Sequence, residues 1–557
     1  MSRRIAAGRG PDAGPGIAAA AGLIAVVTLA ARVVGFVRWL QFSRSVGATC
    51  VGTVYQAANS LPNVLFEVAA GGALAAVAVP LVAGAVGRGR LADADRTGSA
   101  LLTWTVTLLL PATVLLALLA GPIGGWLVDE RACPGGGDLA AYMLRLFAPQ
   151  VVLYGIGIVL GGVLQAHRRF LAAALAPLLS SLVVLLSYAA YGRLAEGARS
   201  IGEVPTAATL ALAGGTTLGV AVLSLPLIVP LWRSGVRLHP TLHFPEGAAG
   251  RVRSLAAAGL LALLAQQYAL LATIVVANRS RTGVLNVFTY VQTVYLLPYA
   301  VLALPLAIST FPALAAMEGP PAAAHRGPSS REGGGGAAGP VLSRSLRAVV
   351  ILGAAGGGVL AAVARPLGEL FADLDAARTS NAGREVLGAM PDAVLAFAPG
   401  LPALGVAALL TRALYVRGRP LLAGSAVAAG WLIAGSVPLA LVPPGSSPAR
   451  ALTVLGVASS IGMTVAALDL VAATARSWGT EALSGLRRTT LVAAGSALLA
   501  AACGIFLTGV WTVDGLLPAA LQALVVALGA AALQAALVAV GDRETARSTL
   551  ARLRRRP

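Results

Sequence analysis

Two arginines, Arg32 and Arg38, stand inside one long apolar run near the start of the chain, in the string ARVVGFVR. A guanidinium holds its donors in a planar fork that matches phosphate oxygens, so an arginine kept in an apolar segment suits a phosphate-bearing ligand. Left unpaired in hydrocarbon, such a charge costs about 2.5–3.5 kcal/mol on insertion scales, so an idle role is expensive. Arg38 lies close enough to the end of its run to snorkel toward the surface; Arg32 lies deeper. On an unbroken helix the two point about 120° apart, and a break at Gly35 would relax that constraint. A second constellation follows. Gln56, Asn59, Ser60, Asn63 and Glu67 are spaced to fall within a wedge of roughly 100° on one helix face. Amides and a carboxylate on one stripe are either a hydrogen-bonded seam between helices or the wall of a hydrated cavity. By composition Glu67 is the nearest counter-charge to the arginines. Further along, Asn286, Thr289, Tyr290 and Thr293 share a face, as do Gln267 and Asn278, with Gln266 alongside.

Other chemistry is missing. His167, His239, His243 and His325 fall in loops without the spacing of metal ligands, and no metal site is expected. No GxxxxGK[ST] string offers an ATP site and no GxSxG string offers a nucleophile, so nothing argues for an enzyme or a cofactor. Cys50, Cys133 and Cys503 lie far apart with no metal or redox spacing; they read as isolated small apolar residues rather than a disulfide framework. Arg145, Arg412 and Asp469 are the remaining embedded charges, each near enough to a span end to read as structural.

The elements that must hold these groups are set by composition. The chain has 557 residues, of which 57% are hydrophobic and 11% charged. Soluble domains carry about 25% charged residues, and a spanning helix needs about 20 apolar ones. The expected fold is therefore an all-α polytopic membrane protein of about fourteen transmembrane helices. Apolar runs place the spans near 17–42, 53–86, 98–127, 139–166, 170–192, 205–232, 254–278, 283–316, 342–372, 391–416, 420–442, 450–475, 489–511 and 515–541. The first run is too long for a signal peptide and lacks a cleavage site, so it reads as a retained span. Pro298, Pro305 and Pro312 predict a kink in the eighth. The net charge of +19 comes from arginines alone, spread over short loops, which excludes a nucleic-acid-binding arm.

Loop arginines fix the expected orientation. Arg88, Arg90, Arg96, Arg168, Arg169, Arg233, Arg237, Arg344, Arg347, Arg417, Arg419, Arg476, Arg487 and Arg488 all fall on the side of the N-terminal Arg3, Arg4 and Arg9. By the positive-inside rule that side is cytoplasmic, with both termini inside a bacterial plasma membrane. The expected organisation is an N-terminal tail (1–16), an N-lobe (17–235) and a C-lobe (250–477) carrying a flexible Gly/Pro-rich linker at 318–340. A helix pair (485–541) and a basic tail (542–557) complete it. A faint echo between LPN…AVPLVA (Leu61 to Ala83) and LPY…TFPALA (Leu297 to Ala315) hints at two related halves.

With helices 1 and 2 in view, the chain resembles a known family. ARVVGFVR (Ala31 to Arg38), VGA (Val46 to Ala48) and LPNVLFEVAAGGALAAVAVPLV (Leu61 to Val82) are similar to the MurJ/MviN family. Its members are lipid II flippases of the multidrug/oligosaccharidyl-lipid/polysaccharide exporter superfamily. YLLPYAVLALPLAISTFPAL (Tyr295 to Leu314) and YVRGRP (Tyr415 to Pro420) follow the family's order, and Glu67 follows the LPNxxxE form of its GC-rich Gram-positive members. The resemblance implies a cavity between two six-helix lobes, an extra helix pair forming a groove for a lipid tail, and alternating access. It implies a polyprenyl-diphosphate-linked peptidoglycan precursor as cargo, membrane lipids as surroundings and cell-wall synthesis proteins as partners. Arg32 and Arg38 match helix 1 arginines that the family points into its cavity; Asn59, Asn63, Glu67, Gln267, Asn286 and Thr293 complete the expected substrate-facing set. Phe66 and Thr293 stand where many members carry further cavity arginines, Thr53 where an acid is common, and Trp39 follows Arg38 in place of an acid. With no ATP site, coupling would draw on an ion gradient or the membrane potential. Two other readings remain: an exporter of the same superfamily with another polysaccharide lipid or a drug as cargo, and a non-transporting scaffold for wall synthesis.

Overall fold

The computed structural model describes residues 15–68, 82, 86, 90–167, 169–198, 200–243, 248–318, 338–376, 381–543 and 545. Within a bilayer no water is available to backbone amides, so helices are the expected solution. The described residues hold α1 (Pro15–Ser45), α2 (Cys50–Phe66), α3 (Leu91–Leu118), α4 (Gly136–Phe147), α5 (Gln150–Ala166), α6 (Phe170–Leu194), α7 (Thr206–Ser224), α8 (Ala248–Ser280) and α9 (Val284–Pro298). They continue with α10 (Leu304–Glu318), α11 (Ala338–Ala362), α12 (Ala364–Asp375), α13 (Met390–Phe397), α14 (Gly400–Val416), α15 (Pro420–Leu441), α16 (Pro448–Trp478), α17 (Leu486–Val510) and α18 (Leu516–Gly541), joined by shorter turns of helix. Twelve helices among them are long and apolar enough to span a membrane, and thirteen when the pair bent by 49° before Gly400 counts as one. The expected span at 53–86 is represented by α2; most of its second half lies outside the described residues, as do most of the tails and of the linker.

The helices pair in the same order twice. In the first half α1 packs on α6, α6 on α7, α3 on α5 and α2 on α4. In the second α8 packs on α15, α15 on α16, α11 on α14 and α9 on α13. The repeat has a local signature that the faint LPN/LPY echo does not touch. Phe147-Ala148-Pro149 separates α4 from α5, and Phe397-Ala398-Pro399 separates α13 from α14. In each, the alanine N–H still donates to the carbonyl four residues back, Leu144 at 2.8 Å and Val394 at 3.0 Å, and the proline then ends the ladder for want of an N–H. Where the prolines predict a kink, the eighth span changes its winding: five residues of wider helix, Tyr299–Ala303, lie between Pro298 and Pro305. α17 lies on α11, and α18 on α12 and α17.

Small residues let backbones close up where apolar burial gives no drive within lipid. Gly430 of α15 meets Gly462 of α16 so closely that a Cβ on Gly462 would fall 2.2 Å from the Gly430 carbonyl oxygen. The connector after α7 is laid along α3. The backbone N–H groups of His239 and Thr241 donate to the hydroxyls of Ser99 (3.0 Å) and Thr103 (3.1 Å), and the Trp104 indole N–H donates to the Leu242 carbonyl (3.0 Å).

α1 runs through Gly35 without a break, so Arg32 and Arg38 keep their divergent directions. One expectation from sequence fails here: the cysteines are not all isolated, since Cys50 and Cys133 form a disulfide across 83 residues, while Cys503 is free. Spacing gave no hint because the bond joins the first residue of α2 to the loop before α4, which only the folded helices bring together. In denaturant without reductant the chain should therefore take one maleimide, and three after reduction, of its three cysteines. Three adducts before reduction, read by intact mass, would disprove the bond.

Candidate functional site

The polar groups picked out by spacing separate into two levels. At the disulfide-bearing end the lobes are sealed against each other. Gly47, at the turn after α1, takes a left-handed φ of +71°, and a Cβ there would fall 2.1 Å from an oxygen of Asp375. That absent side chain lets the buried Asp375 carboxylate accept the Ala48 N–H at 2.8 Å from across the lobe boundary. Asn286 of α9 is also fully buried, and its amide donates to the Gly47 carbonyl at 2.6 Å. Gly52 is needed beside it, since a Cβ would meet the Asn286 nitrogen at 2.3 Å. Thr53 accepts the Gly283 N–H at 2.9 Å, and Asn278 donates to the Leu127 carbonyl at 2.8 Å. Asn286 thus closes the seam rather than lining an open cavity.

An aromatic plug backs this seam. Phe42, Tyr55 and Tyr188 come from the first half, Tyr290 and Phe371 from the second, and all are buried. Phe42 lies 5.4 Å from Tyr55, 5.1 Å from Tyr188 and 6.2 Å from Tyr290, while Tyr290 stacks on Phe371 at 4.8 Å between ring centroids. The Tyr55 hydroxyl is 2.9 Å from both the Tyr188 hydroxyl and that of Thr216, so the hydroxyls of the two first-half tyrosines are satisfied.

One turn deeper along α1 sits Arg38. Val26, Leu29, Val33 and Val37 form the helix's exposed apolar stripe. Arg38 lies about 140° round the helix from that stripe, and Arg32 about 100° round in the other direction. The half-buried Arg38 has its guanidinium 5.3 Å from the Trp39 ring, and its charge acts on Tyr55, Tyr154 and Tyr188 of the lobe interior. Its buried Nε has no hydrogen-bond partner, and no carboxylate pairs with it among the described residues. Glu67 is half-buried and makes no ion pair there with either arginine, so the counter-charge read from composition is not engaged. Arg32 is exposed.

On α2 the stripe is built as spacing predicts, from buried Gln56 at the plug to half-buried Asn59, Asn63 and Glu67 below it. Among the described residues, Gln56 Nε2 and Asn59 Oδ1 are buried without partners, so the stripe is not a seam satisfied by those residues at these two positions. Gln267 is buried, with no partner for its side-chain carbonyl oxygen among the described residues, and Thr293 turns its hydroxyl onto the Thr289 carbonyl of its own helix at 2.8 Å. Phe66 packs at 5.7 Å on Tyr154. Tyr154 also borders a cavity of about 350 Å³ among α5, α6 and α7, opened by Gly157, Gly161 and Gly162 and closed by Pro177, Leu223 and Leu227. Its walls are apolar apart from Gln165, which suits a small hydrophobic group and not an anion. Sequence reasoning missed Tyr154 and Tyr188, because a single tyrosine in an apolar run carries no periodic signal.

A helical membrane protein of two similarly paired halves, sealed at one end over an unpaired cation, has the build of an alternating-access transporter. The fold agrees: the chain superposes with a TM-score of 0.60 at 15% identity on a multidrug-resistance MATE family transporter of the MOP superfamily in an inward-facing conformation, covering 84% of this chain and 99% of that one. It superposes with a TM-score of 0.68, also at 15% identity, on a lipid II flippase MurJ in an inward closed conformation, covering 93% of this chain and 98% of that one. Residues 42–520 match the family model described as lipid II flippase MurJ, and the chain belongs to that family. Among curated proteins it is 29% identical over 223 residues to a probable lipid II flippase MurJ of Synechocystis sp., an alignment covering 39% of this chain and 40% of that protein. It is 24% identical over 301 residues to the probable lipid II flippase MurJ of Vibrio cholerae, covering 52% and 55%. The matches thus span roughly half or less of those relatives' lengths.

Proposed function

We propose that the chain is a flippase that carries lipid II, a polyprenyl-diphosphate-linked peptidoglycan precursor, across the plasma membrane by alternating access. Membership of the MurJ family over residues 42–520 carries this reading. The geometry supports it: Arg38 offers an uncommitted guanidinium to a diphosphate, and the α2 amides offer partners to a sugar-peptide headgroup. The protein makes and breaks no covalent bond of its cargo. Coupling falls to an ion gradient or to the membrane potential acting on the embedded arginines.

Two independent features support a cytoplasmic N-terminus. Arginine-rich loops lie at the end opposite the seal, as the positive-inside rule asks of the cytoplasmic side. The Cys50–Cys133 disulfide lies at the sealed end, as expected of the oxidising side. The described conformation is then closed outward, with membrane lipids around it and cell-wall synthesis enzymes as the partners that supply and consume cargo. The test is complementation in a bacterium depleted of its own lipid II flippase. Rescue of growth and of surface-exposed lipid II by the wild-type chain is the expected result. A well-inserted chain that fails to move lipid II in proteoliposomes as well as in cells would overturn the proposal.

A further inference from the structure

At the end of the bundle opposite the seal, α11, α17 and α18 border a pocket of about 550 Å³, apart from the Arg38 site. Three arginines line it, Arg347, Arg488 and Arg543, together with Gly485, Val540 and Asp542. The site is shaped around its cations. Gly485 takes a left-handed φ of +72°, and a Cβ there would crowd the Arg347 guanidinium at 3.2 Å. Arg488 is anchored by its Nε and Nη2, which donate to the Gly541 carbonyl at 3.2 and 2.9 Å and so close the last turn of α18, leaving its Nη1 uncommitted in these contacts. The one carboxylate is held back. Asp542 is buried, accepting from the Thr489 hydroxyl at 2.5 Å and from the Thr545 N–H at 3.2 Å. Among the described residues that line it, three guanidiniums stand against one carboxylate, a formal +2, and the N-terminus of the 25-residue α17 adds its partial positive charge.

What lies beside the pocket identifies the anion's carrier. Val540, on its wall, is strongly exposed, as are Leu491 and Leu498 of α17 and Leu528 of α18, so apolar side chains that only lipid can cover run away from the cationic mouth. We propose that this pocket binds the phosphate of an anionic phospholipid headgroup, with the acyl chains lying on the exposed faces of α17 and α18. Basic pockets between transmembrane helices at the membrane surface recognise such headgroups. The proposal depends on the chain being a membrane protein and not on its cargo.

The full-length protein, purified in detergent and stripped of lipid, would be titrated with phosphatidylglycerol, with phosphatidylcholine and with inorganic phosphate. Retention of lipid in native mass spectrometry and the thermal midpoint are the readouts. Phosphatidylglycerol should bind about thirtyfold tighter than phosphatidylcholine, the preference expected of two net charges at a membrane surface. Arg488→Gln should lose that preference; Arg543→Gln, at an exposed position outside the Gly541 cap, should weaken it without disturbing the fold, and Arg543→Lys should keep most of it. Displacement of phosphatidylglycerol by inorganic phosphate would support the phosphate as the recognised group. Saturation by inorganic phosphate with no preference between the two lipids would overturn the lipid as its source. Equal binding of both lipids, or a preference that survives in the Arg488→Gln/Arg543→Gln double variant, would overturn the site.

Discussion

Arg38→Ala is expected to abolish rescue of a flippase-depleted bacterium at unchanged membrane abundance, with Arg38→Lys rescuing in part. The argument is one of position. Both helix 1 arginines are off the lipid-facing stripe, but only Arg38 is drawn into the interior, against Trp39 and within reach of Tyr55, Tyr154 and Tyr188. With no carboxylate paired to it among the described residues, its charge is available to an anion. A charge-assisted hydrogen bond is worth about 1.5–3 kcal/mol, so its loss should weaken diphosphate binding about ten- to hundredfold. On the reading that many family members carry arginine where Phe66 and Thr293 stand here, few cations are left to compensate, which makes the expected effect larger than a single arginine would otherwise have. Lysine restores the charge without the bidentate fork, hence partial rescue. Binding of fluorescent lipid II to the purified variants separates a lost contact from a lost fold. If Arg38→Ala rescues fully while Arg32→Ala does not, the anion contact belongs to Arg32; if both rescue, it lies outside helix 1.

The fold class was legible because it rests on sums: an apolar, charge-poor chain must lie in a membrane, and turn residues punctuate its runs. The α2 stripe was legible for a related reason, since residue spacing alone fixes which side chains share a helix face. What spacing cannot give is which faces meet. Asn286 looked like a cavity residue from its neighbours Thr289 and Thr293, yet it closes the seam because Gly47 and Gly52, far away in sequence, leave room for its amide. The Cys50–Cys133 bond escaped notice on the same ground, being a fact of proximity in the fold. The internal repeat was legible and was missed. Phe-Ala-Pro occurs at equivalent breaks in both halves, and a search by kink residues rather than by helix 2 and helix 8 motifs would have found it.

Breaking the seam should shift the protein toward an outward-open state. In the described conformation the lobes are held at one end by Asp375 on the Ala48 N–H, Asn286 on the Gly47 carbonyl, Thr53 on the Gly283 N–H, and the plug in which Phe42 meets Tyr290 and Tyr290 stacks on Phe371. Asp375→Ala strips the buried Ala48 N–H of its carboxylate, and Asn286→Ala strips the Gly47 carbonyl of its amide donor. Each loss should cost the closed state about 1–3 kcal/mol, a shift of roughly 5- to 150-fold in the equilibrium between states. Gly52→Val is the sharper test, since it adds bulk where even a Cβ falls 2.3 Å from the Asn286 nitrogen and cannot be accommodated with the seam closed. The measurement is the labelling rate of a single reporter cysteine at Asn59, in a chain with Cys503→Ser, by an impermeant maleimide from the disulfide-bearing side. Labelling should rise in all three variants, most in Gly52→Val, while rescue falls because a transporter that cannot close outward cannot complete its cycle. Unchanged labelling in Gly52→Val with retained folding would mean that this seam does not gate access. Labelling that rises without loss of rescue would mean that outward opening is not the step the seam limits.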